Sequence, residues 1–153
     1  MAQKSKKAHI VASAQPLFLE NGFKGTSIDM VVKASGVSKP TVYNHFPDKA
    51  ALIQEVFLHW IESNKPAIQP VKDLSAMDEF VRTRWLTDEA VAFYAMVIGE
   101  GWRFPEAKQY FWNHFDGPWR QALSYVANYS SGLNPESIEL YLDGQLLNRL
   151  RLR

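Results

Sequence analysis

The sequence predicts an all-α fold, on three observations. Apolar residues recur three and four positions apart along most of the 153-residue chain, no run alternates apolar and polar residues between turns, and capping residues precede the periodic segments while Gly or Pro follows them. The first helix is expected over 4–21, with Ile10, Val11, Ala14, Leu17 and Phe18 on one face and Gly22 as a left-handed stop. Pro16 lies inside it, where it removes the bond to the Ala12 carbonyl and is expected to kink or shorten the helix. Thr26 or Ser27 can cap a second helix over 28–35, with Asp29 in its first turn and Gly36 at its end. Ser38 caps a third, in which Pro40 sits in the first turn and forfeits no intrahelical bond, and Phe46-Pro47 closes it early.

Asp48 caps a longer fourth helix whose Leu52, Ile53, Val56, Phe57, Trp60 and Ile61 form a wide buried stripe, and Pro66 and Pro70 mark its end. Residues 65–73 read as a connector. Further helices are expected over 75–86 with Ser75 as cap, over 88–103 with Thr87 as cap, and over 105–115, where Pro105 suits the first helical position. Asp116-Gly117-Pro118 breaks the pattern, a helix follows over 118–130, and Asn134-Pro135-Glu136 opens a last one.

Composition narrows the function classes. The chain has no cysteine, which excludes disulfide scaffolds, zinc ribbons, thiol nucleophiles and thiolate-held clusters and fits a reducing compartment, so the cytoplasm is the expected location. No apolar run of signal-peptide length follows the basic start, and no segment approaches the roughly 20 apolar residues of a membrane span, so no membrane partner is expected. The net charge of +1 conceals an asymmetry. Residues 1–50 carry seven lysines against Glu20, Asp29 and Asp48, while the remainder is mildly acidic. A basic head on an acidic body suits a polyanion, although a solvated surface fluctuates by as much.

Two helices joined at Gly36-Val37-Ser38, the second very short, have the proportions of a helix-turn-helix unit. The segment from Gly22 to Leu52, with Gly36-Val37-Ser38, Tyr43-x-x-Phe46 and Lys49-x-x-Leu52 at fixed offsets, resembles the N-terminal DNA-binding domain of TetR-type transcriptional repressors. The likeness covers roughly residues 8–62. It implies that Ser38, Lys39, Thr41, Tyr43, Asn44 and His45 lie on or near the exposed side of a recognition helix, with Val42 and Phe46 facing inward. Thr41 and Asn44 can reach base edges or phosphates, the Tyr43 hydroxyl suits a phosphate, and Lys49 adds an ammonium at the next helix start. Lys24, Thr26 and Ser27 are expected to clamp the opposite backbone strand. The partner implied is double-stranded operator DNA.

The second half reads differently. Residues 85–129 hold twelve of the chain's twenty aromatics. Such density serves core packing, or it leaves an apolar cavity for a small ligand. The resemblance implies an effector pocket here, and Glu100-Gly-Trp-Arg-Phe-Pro-Glu106 resembles a subgroup of the same repressors. Met96, Trp102, Arg103, Phe104, Phe111, His114 and Phe115 are the expected lining, and the effector is expected to be small and hydrophobic. Enzymatic readings fail on inventory. His9, His45, His59 and His114 are scattered, Gly99-Glu-Gly101 lacks the third glycine of a dinucleotide loop, and there is neither a phosphate-binding Gly-x-x-x-x-Gly-Lys loop nor a nucleophile elbow. No catalytic residue, metal or cofactor is expected.

In the last helix, Ile138, Leu140, Tyr141, Leu142, Leu146, Leu147, Leu150 and Leu152 spread around most of the circumference instead of forming one stripe, so it needs cover on two sides. The expectation is a homodimer through this helix, in a chain lacking the usual last helix of the proteins it resembles. The whole then reads as a helix-turn-helix domain over 1–48 joined through the fourth helix to an effector-binding and dimerisation domain over 49–153. Its function is expected to be that of a ligand-responsive regulator, with repression as the expected sign. The rival reading is a helical small-molecule binding protein that does not bind DNA.

Overall fold

The computed structural model describes residues 5–130 and 134–153, and among them every regular element is a helix, with no strand. Helix α1 spans Lys6–Asn21, α2 Ile28–Ser35, α3 Lys39–His45 and α4 Lys49–Ser63. Local capping sets these boundaries as the sequence suggests. Side-chain oxygens of Ser5, Ser27, Ser38 and Asp48 accept the N–H three residues on, and Gly36 takes the left-handed conformation after α2. Helix α1 runs on through Pro16 without a break. Gly22 has positive φ but ψ of −174°, so it redirects the chain into an extended exit instead of closing a left-handed turn.

Beyond the connector, α5 spans Leu74–Phe80 and passes into a π-helical turn over Val81–Trp85. Its cap is Asp73, two residues before the expected Ser75, with Oδ1 accepting the Ala76 N–H at 2.9 Å. Helix α6 spans Asp88–Glu100 from its Thr87 cap and tightens into a 3-10 turn over Gly101–Arg103. Helix α7 covers Pro105–Phe111, α8 Gly117–Ser130 and α9 Pro135–Arg151. The break expected at Asp116-Gly117-Pro118 is absent. A π-helical turn over Trp112–Asp116 joins α7 to α8, with the Gly117 N–H bonded to the Trp112 carbonyl five residues back. Pro118 has no N–H to donate, and the wider turn before it carries the chain past that gap.

Both π turns end at one polar chain inside the body. The Trp85 indole N–H donates to the Tyr94 hydroxyl at 3.0 Å, and that hydroxyl donates to Asp116 at 2.8 Å. Asp116 also pairs with Arg120, whose guanidinium reaches Glu139 and Asp143 on α9. Burial, reinforced by the Asp116 carboxylate, pushes the Tyr94 phenol far up, so it stays a donor. Around this chain, rings fill the space between α4, α6, α7 and α8. Phe57 touches Phe93 and Phe111 at 5.2 Å each, and Trp60 lies 4.7 Å from Phe115. The same core continues into the N-terminal helices through Phe18, Phe23, Val42 and Phe46.

Candidate nucleic-acid interface

Helix α3 is held by its inner side and left free on its outer side. Val42 and Phe46 are buried, as the motif implies. The Ser38 hydroxyl both caps the helix and meets the Thr41 hydroxyl at 2.8 Å, leaving Thr41 half-buried at the edge. Tyr43, Asn44 and His45 point outward on successive positions, and the Tyr43 hydroxyl and Asn44 amide have no hydrogen-bond partner among the described residues. A phenol, an amide and an imidazole on a short exposed helix can donate to phosphates or meet base edges.

The remaining sequence-derived residues divide. Lys24 is exposed beside this helix pair, and Ser27 is exposed with its oxygen capping α2. Lys39 is already engaged, since its ammonium meets Asp29 of α2 at 2.9 Å, and that carboxylate raises its pKa. Lys49 is drawn partly inward, 4.5 Å above the Phe23 ring, and burial lowers its pKa against the opposing pull of Glu100. Thr26 is a correction. It is 0% exposed, and its hydroxyl donates to the Leu17 and Gly22 carbonyls at 3.0 and 2.8 Å, so it shapes the turn instead of facing a phosphate. Thr26→Val should lower stability by about 1–3 kcal/mol in a thermal melt, while leaving the salt dependence of DNA binding unchanged.

The expected effector lining does not converge. Met96, Phe104, Phe111 and Phe115 are buried among other rings, whereas Trp102, Arg103 and His114 lie outside. Trp102 is 69% exposed with the Arg103 guanidinium stacked on it at 4.2 Å, and His114 stacks on Tyr110 at the same distance. The reason is geometric: the 3-10 turn sends Trp102 out and Phe104 in, against Phe23 at 4.6 Å. Ligand-sized space appears elsewhere. A groove of about 560 Å³ runs between the α3–α4 turn and the start of α7, with Phe46, Pro47, Ala51, Gln54, Phe104 and Pro105 in its lining. Gln54 buries its side-chain oxygen with no partner among the described residues. Sequence reasoning also missed Glu100, whose carboxylate accepts two backbone N–H groups of the α1–α2 turn, at Phe23 and Lys24. Among the described residues no group of three His, Asp or Glu side chains is placed to hold a metal ion, and no helix is long and apolar enough to cross a membrane.

A short exposed helix, set across two others and carried on a larger helical body, defines a helix-turn-helix protein. The model for bacterial regulatory proteins of the tetR family matches residues 10–56, the segment that runs from α1 through α3 into α4. It is 32% identical over 105 residues to the HTH-type transcriptional regulator UidR of Escherichia coli (strain K12), covering 65% of this chain and 54% of UidR. The chain thus spans about half the length of the curated relatives it matches. Among solved structures, GusR of Salmonella enterica superposes with a TM-score of 0.64 at 24% identity, over 95% of this chain and 80% of GusR. The flavonoid-responsive regulator FrrA superposes with a TM-score of 0.57 at 23% identity, over 96% of each chain. These two share the fold.

Proposed function

We propose that this chain is a cytoplasmic, ligand-responsive transcriptional regulator, a repressor that binds operator DNA as a homodimer and is released by a small, largely apolar effector. One observation carries the reading: the outer side of α3 exposes Tyr43, Asn44 and His45, the Tyr43 hydroxyl and Asn44 amide without a hydrogen-bond partner among the described residues, within the segment that matches the family model. In this reading residues 1–48 meet DNA and residues 49–153 hold the effector and the second copy. The effector's place is the groove between the α3–α4 turn and α7, which is of ligand size and takes its lining from both units. An occupant there abuts His45 and Phe46 at the end of α3, and Gln54, whose buried side-chain oxygen has no partner among the described residues, lies in the same lining. By linkage, an effector that favours the arrangement unable to span two half-sites weakens DNA binding reciprocally.

The test is a gel shift and an anisotropy titration against the promoter region beside its own gene. Tyr43→Phe should lower affinity for every sequence, and Lys24→Ala should flatten the salt dependence by about one unit of slope. Asn44→Ala should change the ranking among operators if the amide reads a base. Binding indifferent to salt, or no binding to any duplex, refutes the reading. Titration with hydrophobic compounds that leaves tryptophan emission, melting temperature and DNA affinity all unchanged refutes the effector.

A further inference from the structure

The turn between α1 and α2 is held by a residue more than seventy positions away. Glu100, the last residue of α6, accepts the Phe23 N–H on Oε2 and the Lys24 N–H on Oε1, each at 2.9 Å. A carboxylate at a helix C-terminus opposes the dipole of its own helix, so α6 alone gives no reason for it. Two charge-assisted bonds to backbone N–H groups do. The apolar side of the contact is the Phe23 ring against Phe104, which follows the 3-10 turn. At Gly22, where φ is 73°, a Cβ would lie 3.0 Å from the Glu100 Oε2, so a side chain there would crowd the carboxylate.

From this point the connection to α3 is short and bonded throughout. Thr26 ties the turn to the Leu17 and Gly22 carbonyls, Ser27 caps α2, and Asp29 of α2 holds Lys39 of α3. We propose that Glu100 is a positioning residue for DNA recognition: its carboxylate latches the α1–α2 turn to the end of α6 and so fixes the orientation in which the body presents α3. The inference rests on the DNA-binding reading above. Two recognition helices must meet half-sites about 34 Å apart, so a small rotation of one unit about its body spoils specific contact and leaves general attraction to phosphate intact.

The latch and the bare charge predict opposite signs. A negative charge near the DNA-facing unit repels phosphate, so if Glu100 acted only as a charge, removing it would tighten binding to every duplex. As a latch, its removal weakens the operator complex alone. The experiment compares the full chain with Glu100→Ala and Glu100→Gln on an operator duplex and on a random duplex, across a salt series. Glu100→Ala should lower operator affinity by about tenfold or more, with random-duplex affinity equal or tighter and the salt slope unchanged. Glu100→Gln keeps one acceptor and sets an NH₂ against the second N–H, so it should fall between. Amide exchange at Phe23 and Lys24 should quicken in both variants while the buried α1 amides keep their protection, which separates release of the turn from general loss of stability. Operator binding by Glu100→Ala that equals or exceeds the parent's, or unaltered exchange at those two amides, overturns the latch. A parent chain that binds no duplex overturns the DNA-binding reading instead, and the exchange measurement still decides whether the turn is held.

Discussion

Phe57→Ala is expected to destabilise the protein by about 3–5 kcal/mol, lowering the melting temperature by roughly 6–20 °C. The Phe57 side chain is fully enclosed and meets rings from three segments: Phe93 on α6, Phe104 after the 3-10 turn, and Phe111 on α7. Those neighbours are themselves wedged against Trp60, Tyr94, Phe115 and Phe23, so none can swing into the space without opening another. The loss therefore includes both the transfer of the ring and the cavity it leaves. Against a total stability of about 5–15 kcal/mol, this is a large fraction. The measurement also decides what the aromatic set is for. Benzene or indole, added in excess, should recover part of the lost melting temperature by occupying an apolar void of their own size. A loss below about 1 kcal/mol would mean that the rings already surround loose space, and that the effector belongs among them and not in the groove beside α4.

The local signals in the sequence were legible because their causes are local. Ser27, Ser38, Asp48, Thr87 and Asn134 accept the N–H three residues on, and a cap needs nothing beyond its own turn. The inward placement of Val42 and Phe46 is what the resemblance implies, and two apolar residues four apart at the end of a short helix agree with it. What differs depends on how the backbone turns and which side chains it brings together, which residue types alone do not show. Thr26 looks like a cap or a phosphate donor from its neighbours, and only the return of the α1 end beside it encloses its hydroxyl. Pro118 looks like a break because the i→i+5 bond that carries the helix past it leaves no mark in composition. Aromatic density does not say which ring faces where, so Trp102 and Phe104 share one expectation and lie on opposite sides of the surface. Glu100 was visible within a motif, yet nothing in the sequence pairs residue 100 with residue 23.

Leu140→Glu together with Leu147→Glu should convert the proposed homodimer to a monomer and lower operator affinity by about 10²-fold or more. Helix α9 is apolar on two sides. Ile138, Leu142 and Leu146 are buried in the body, and the same side of the helix is tied down by Tyr141 and Gln145 to Asp78 and by Arg149 to Asp88. Leu140 and Leu147, one heptad apart, lie on the opposite side at 76% and 50% exposure. Gly144 sits between them in sequence and on the same side, where an added Cβ would meet nothing within 4 Å, so a second helix can approach that backbone closely. A stripe of this kind, repeated in a symmetry mate and met by its own copy, has the form of an isologous contact. Because both leucines are already outside the core, their replacement should leave the melting temperature of the isolated chain nearly unchanged, unlike Phe57→Ala. The effect on DNA comes through valency: each copy brings one α3, and binding of the first raises the effective concentration of the second. Sedimentation across a concentration series reads the assembly, and anisotropy on operator and half-site duplexes reads the consequence. The double variant should bind both duplexes with the weak affinity that the parent shows for the half-site. A parent chain that sediments as a monomer at every concentration, with operator affinity indifferent to both substitutions, would leave α9 without a partner and assign recognition to a single α3.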